Sequence, residues 1–127
     1  MAEVILDRDC FLVSETDKKG VITYANEDFC EIVGYNLNEL LGKPHNIVRH
    51  PDMPKIAFKN LWETINSGKV WTGYVQNSTK NGDYYWVFAT VYPMPEADER
   101  RGGYMSCRRM ASREEIAEAQ KLYKTLR

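Results

Sequence analysis

The sequence predicts an α+β domain built on a five-stranded antiparallel sheet, with short helices packed on one face and an exit helix at the C-terminal end. Three observations point there. Strand-like stretches come in pairs joined by turn residues, 17-DKKG-20 in the first pair and 79-TKNGD-83 in the second. Between the pairs, apolar residues recur at helical rather than strand spacing. The chain then closes on an amphipathic run, 112–127, that opens with a capping box. Strands and helices grouped in this way suit an antiparallel sheet better than the strict alternation of a parallel one.

Residues 10–17 are apolar enough for a first strand, and the turn at 17–20 leads into a second over 21–26. Asn26 is placed to cap a helix over 27–34, in which Phe29, Ile32 and Val33 share a face and Gly34 supplies the stop. A second short helix fits 37–42. Residues 54–68 give the best helix before the C-terminus, with Pro54 in the first turn and Ile56, Phe58, Leu61, Trp62 and Ile65 at near-helical spacing. The period then becomes two. Residues 70–78 and 84–93 form a long hairpin around Asn81-Gly82. Trp71, Gly73, Val75 and Asn77 share one face of its first strand, and Tyr84, Trp86, Phe88, Thr90 and Tyr92 share one face of its second. A polar, mobile loop is expected at 94–103, then a fifth strand over 103–110. The last helix opens on Ser112 and Glu115 and carries Ile116, Ala119, Leu122 or Tyr123, and Leu126 along one side. The expected division is a domain over 1–111 and a helix or linker over 112–127.

With 127 residues, 43% hydrophobic and 28% charged, the chain suits one globular domain with a single modest core. Seventeen basic side chains against 18 acidic ones leave a formal charge of −1, too little field to gather nucleic acid or an anionic membrane. The N-terminal stretch 1-MAEVILDRDCFLV-13 breaks its apolar residues with acidic ones, unlike a signal peptide, and no stretch is long enough to span a bilayer. Cys10, Cys30 and Cys107 are widely spaced among apolar neighbours, which suits buried thiols in a reducing cytoplasm.

The chemistry is concentrated in 44-PHNIVRHPDMP-54, where two histidines, an arginine and an aspartate lie among three prolines. A metal site fits the residue types but not the spacing. Five positions turn a helix through about 140° in excess of whole turns, so His45 and His50 would diverge. Pro51 also disfavours helix at His50, and the run reads as a short helical turn followed by a bend.

The run 20-GVITYANEDFCEIVGYNLNELLGKP-44, followed by a helix and by 80-KNGDYYWVFATVYP-93, resembles a PAS sensory domain over nearly the whole chain. Within that family, residues 43–87 resemble the PAS domain of bacterial aerotaxis receptors, which binds FAD and reports cellular redox state. The HNIVRHPDMP segment is the specific part of the likeness. What the resemblance implies is a PAS fold and a cytoplasmic FAD-binding sensor of redox state, or of oxygen indirectly, without catalytic turnover. The implied partner is a downstream signalling domain or a separate chemoreceptor output protein, with a homodimer allowed; this stretch holds no output domain of its own.

The side chains suit that ligand. FAD presents a pyrophosphate that wants cationic donors, an adenine that wants an apolar or aromatic surface, and an isoalloxazine edge that wants amide-type partners. Arg49 can fork onto phosphate, His50 can donate to phosphate or ribose, and Asp52 can accept from ribose hydroxyls or hold His50 in one tautomer. Trp62 and Trp71 offer flat surfaces, and Asn77 can donate and accept from inside the sheet. Asn26 and His45 complete the set, the first beside its capping role and the second as a supporting group. Plainer roles compete: a hydrogen-bond knot for Arg49, His50 and Asp52, core packing for Trp62, and cross-strand packing for the aromatic strand, one face of which can abut a signalling segment. Rival functions are a haem-binding PAS domain ligated through His45 or His50, an acid–base enzyme using His50 and Asp52, and a cofactor-free interaction module. Flavin photochemistry through a cysteine adduct is disfavoured, because 46-NIVRHPDM-53 contains no cysteine.

Overall fold

The computed structural model describes residues 2–94 and 102–126. The hairpin β1 (Phe11–Thr16) and β2 (Ile22–Ala25) stands apart in sequence from the hairpin β3 (Trp71–Ser78) and β4 (Tyr84–Pro93). The last strand, β5 (Tyr104–Met110), inserts between β1 and β4, so the sheet runs β2-β1-β5-β4-β3 with every neighbouring pair antiparallel. All five expected strands are present within a residue or two of their predicted ends. The polar loop expected at 94–103 falls, from 95 to 101, outside the described residues.

Between the hairpins lie α1 (Glu27–Val33), α2 (Leu37–Leu40), a 3₁₀ turn at His45–Val48 and α3 (Lys55–Asn66). Asn26 starts α1 by accepting the Phe29 N–H at 3.0 Å, and Gly34, at φ 81°, ends it in the left-handed conformation that favours glycine. A reciprocal capping box between Asn36 and Glu39 starts α2. Pro54 occupies the cap position of α3, one residue before the first turn in which it was expected.

The strands alternate sharply between two environments. Leu12, Val75, Ala89 and Val91 face the layer formed by α1 to α3. Helix α4 (Arg113–Leu126) crosses the other side: Tyr123 stacks on Trp86 with ring centroids 6.2 Å apart and donates its hydroxyl to the Tyr74 carbonyl at 2.5 Å. The expected aromatic face of β4 therefore does abut the exit helix, which itself lies on the face opposite the short helices. Its start matches the predicted capping box, with Glu115 N–H on Ser112 Oγ at 3.1 Å and Ser112 N–H on Glu115 Oε1 at 2.9 Å. The segment before β1 is also tied in. Val4 N–H donates to Tyr84 O at 2.7 Å, and Glu3 pairs with Arg113 at the head of α4. The three cysteines are free and half-buried rather than fully buried, and burial raises the pKa of the Cys10 and Cys30 thiols.

Candidate functional site

A cavity of about 350 Å³ opens between the sheet and the short helices, within the range of roughly 300–1,000 Å³ usual for small-molecule sites. The sheet contributes Val75, Asn77, Ala89 and Val91, and α3 faces them with Phe58, Leu61, Trp62 and Ile65. The turn at Gly20 and the 3₁₀ segment bring Lys19, His45, Asn46 and Arg49 to the same space. Trp62 is thus cavity wall, held edge-on to Tyr104 at 5.7 Å and packed so close to Gly20 that an added Cβ there would meet its ring at 3.0 Å.

The run 49–52 splits at its bend. The Arg49 guanidinium carbon sits over Phe58, 3.9 Å from the ring centroid, on the cavity wall. His50 turns away: it is buried, sits edge-on to Tyr84 at 5.8 Å, and accepts the Asp52 backbone N–H on Nδ1 at 3.0 Å. The proton of a neutral His50 therefore sits on Nε2, a tautomer set by the backbone of Asp52. The Asp52 carboxylate is 3.9 Å from the same nitrogen and 63% exposed, beyond hydrogen-bond range. Neither His50 nor Asp52 lines the cavity.

Two more candidates lie elsewhere. Trp71 folds its ring back over Gly73, where a Cβ would come within 2.5 Å of it, and donates its indole N–H to Asn60 Oδ1 at 2.9 Å. Asn26 is committed to the backbone, its Oδ1 accepting from Val13 and Phe29 and its Nδ2 donating to Phe11 O. Asn77 does reach the cavity; its amide donates to the hydroxyl of the fully buried Tyr85 at 3.3 Å.

The sequence reading did not single out the strongest polar group in the wall. Arg108, on β5, is 3% exposed. It donates to Ser106 Oγ and Ser14 Oγ, each at 2.7 Å, and to His45 Nε2 at 3.4 Å, and its guanidinium stacks on Phe29 at 4.5 Å. Burial lowers its pKa to about 10, so it remains cationic at neutral pH. Burial, and next the Arg108 charge, depress the His45 pKa to about 3. The ring is half-buried, and the Arg108 guanidinium 3.4 Å from Nε2 keeps the imidazole neutral. Since the guanidinium can only donate, Nε2 is an acceptor there, and the Ser14 hydroxyl at 2.9 Å donates to it as well. Such an Nε2 is poorly placed to ligate haem iron, with two donors, one of them a cation, already against it.

Fold and cavity together define an α+β domain with a ligand-sized space between its sheet and its short helices. Residues 22–107 match the family model described as the PAS fold, and the chain belongs to that family. It is 51% identical over 118 residues to the aerotaxis receptor of Escherichia coli strain K12, covering 93% of this chain and 23% of that protein. A nitrogen fixation regulatory protein of Klebsiella pneumoniae is 28% identical over 76% of the chain and 20% of its own length. The chain thus spans about a quarter or less of these relatives. Among solved structures, a light-oxygen-voltage domain reported with a flavin analogue superposes with a TM-score of 0.73 at 19% identity, over 92% of this chain and 87% of that one. Among the described residues no helix is long and apolar enough to cross a membrane.

Proposed function

We propose that the chain is a cytoplasmic, FAD-binding PAS sensor that reports redox state to a chemotaxis-type output module, without catalytic turnover. The observation that carries it is the cavity. It is apolar between sheet and α3, and it has cationic and amide side chains in its wall, in a chain 51% identical to an aerotaxis receptor. An orphaned cationic donor inside the wall, the Arg108 Nε, fits a ligand rich in acceptor oxygens. Bound FAD would supply a reversible redox couple and an edge dense in hydrogen-bond donors and acceptors. Arg49 would hold the pyrophosphate, Trp62 would pack against a ring, and Asn77 would hydrogen-bond the heterocycle edge. His50 and Asp52 hold the bend that aims Arg49. Helix α4 carries the change outward from the sheet to a downstream domain or separate partner. The test is direct: record the absorption spectrum of the purified protein before and after dithionite and air, then denature it and chromatograph what is released. FAD with a reversible bleach is expected; FMN, haem or no chromophore would overturn the reading.

A further inference from the structure

We propose that Arg108 is the ligand anchor at the inner wall of the cavity, and that what it recognises is the electron-rich, carbonyl-bearing edge of a planar ligand. On the flavin reading, on which this deepening rests, that edge is the pyrimidine end of the isoalloxazine rather than the phosphates.

A guanidinium buried to 3% exposure normally has a carboxylate against it, because an unpaired buried charge is costly. Among the described residues Arg108 has none: its partners are two serine hydroxyls and a neutral imidazole, and Nε has no acceptor at all. The neighbours hold the side chain without cancelling its charge. The Phe29 ring lies 4.5 Å from the guanidinium carbon, and Ser14, Ser106 and His45 take up its terminal nitrogens. That is a group oriented in advance of a ligand, in a wall shared with the Asn77 amide and lying between the apolar sheet and α3. A flat ring in that space presents its rim to Arg108 and Asn77. Carbonyl oxygens with partial negative charge satisfy both, and a charge-assisted bond in a low-dielectric wall is stronger than a neutral one.

The anchor makes an opposite pair of predictions for the free and the loaded protein, which a purely structural arginine does not. Arg108→Met keeps the side-chain length and removes the buried charge. In ligand-free protein its melting temperature should equal or exceed that of the parent. In titrations with riboflavin, which lacks phosphate, its affinity should fall by about 10–100-fold, as expected for losing hydrogen bonds to a charged group. FAD should lose the same factor. Arg49→Lys is the control, weakening FAD while leaving riboflavin unchanged. Two arms separate the sources of an acceptor edge. If the parent binds no flavin yet is stabilised by uracil, a planar ring with the same carbonyl-bearing edge, in an Arg108-dependent way, the anchor stands and the flavin assignment fails. Riboflavin affinity unchanged in Arg108→Met, a melting temperature lowered in the ligand-free variant, or a parent that binds neither flavin nor uracil would each overturn the proposal.

Discussion

Truncating Tyr123 measures how firmly α4 is docked on the outer face of the sheet. Its ring is stacked on Trp86 at an interplanar angle of 21°, and its hydroxyl donates to the Tyr74 carbonyl at 2.5 Å. Tyr123→Phe keeps the ring and deletes one part-buried hydrogen bond, a net cost of about 0.5–1.5 kcal/mol. Tyr123→Ala also deletes the ring, and aromatic truncations in cores cost about 3–5 kcal/mol. The lower end applies, because α4 can fray away from the sheet rather than enclose a void. For a domain of this size, 1 kcal/mol shifts the melting temperature by about 3–6 °C. Circular dichroism melts should therefore drop by about 2–9 °C for Tyr123→Phe and by more than about 9 °C for Tyr123→Ala. Amide exchange over 113–126 should rise in the same order. An alanine variant within about 2 °C of the parent would refute the reasoning. The helix would then be held by its N-terminal contacts alone, Arg113 with Glu3 and Glu115 with Tyr74 and Arg109.

Arg49→Lys should lower FAD retention by about tenfold and Arg49→Ala by more, because an ammonium cannot fork onto phosphate; full occupancy and an unchanged melt in both variants would restrict Arg49 to stabilising the bend. His45 has a folded pKa of about 3, below its ordinary value, so the unfolded chain binds a proton that the folded one refuses. Stability should fall as pH drops from about 6.5 towards 3, and His45→Gln should flatten that limb by up to one proton in urea titrations at several pH values. Asn77→Asp or Asn77→Ala that still holds flavin should blunt the redox-dependent difference in hydrogen exchange across the sheet and 112–126; an undiminished difference would move the switch elsewhere in the cavity.

Local chemistry made the elements legible: Asn26 and Gly34 bracket α1 as their residue types require, and Ser112 with Glu115 starts α4. What the sequence left open was direction. Residues 49 to 52 look like one cluster when read along the chain, yet the bend sends Arg49 to the cavity and His50 to Tyr84. Trp71 has the right parity for the cavity face, but Gly73 two residues on leaves a gap that its own ring fills. Arg108 was hidden beside Arg109 in 104-YMSCRRM-110. Period two puts one of the two arginines inside, but which one depends on the register of β5 between β1 and β4, a long-range property. The signal was present in Ser106 and Tyr104, which share the parity of Arg108 and so mark a polar inner face. In the same way, the amphipathic stripe of α4 shows that it packs on something, while the side of the sheet is settled only by Tyr74, Trp86 and Tyr123.

The same alternation explains how a buried ligand could be felt at the exit helix without any long conduit. Arg108 and Arg109 are consecutive, one in the cavity wall and the other 3.6 Å from Glu115 across the sheet. Val75 and Tyr74 are also consecutive, one lining the cavity and the other bonding Glu115 Oε2 at 2.5 Å. Glu115 in turn closes the capping box that starts α4, and the backbone bond to Ser112, followed by the Tyr74 hydroxyl, holds its carboxyl down at a pKa of about 2. One carboxylate thus takes hydrogen bonds from the backbone at the head of the helix and from the outer face of β3, with an arginine of β5 paired to it. A ligand that displaced Arg108 or Val75 would act on their chain neighbours Arg109 and Tyr74, both of which meet Glu115 in the first turn of α4. Such a linkage needs a ligand state that favours one of two arrangements of that turn, since a ligand indifferent to both shifts nothing. In the structure the capping box is closed on Oε1 of Glu115 while Oε2 meets Tyr74 and Arg109, and the Asn77 exchange experiment reads whether the first turn of α4 follows the state of the cavity.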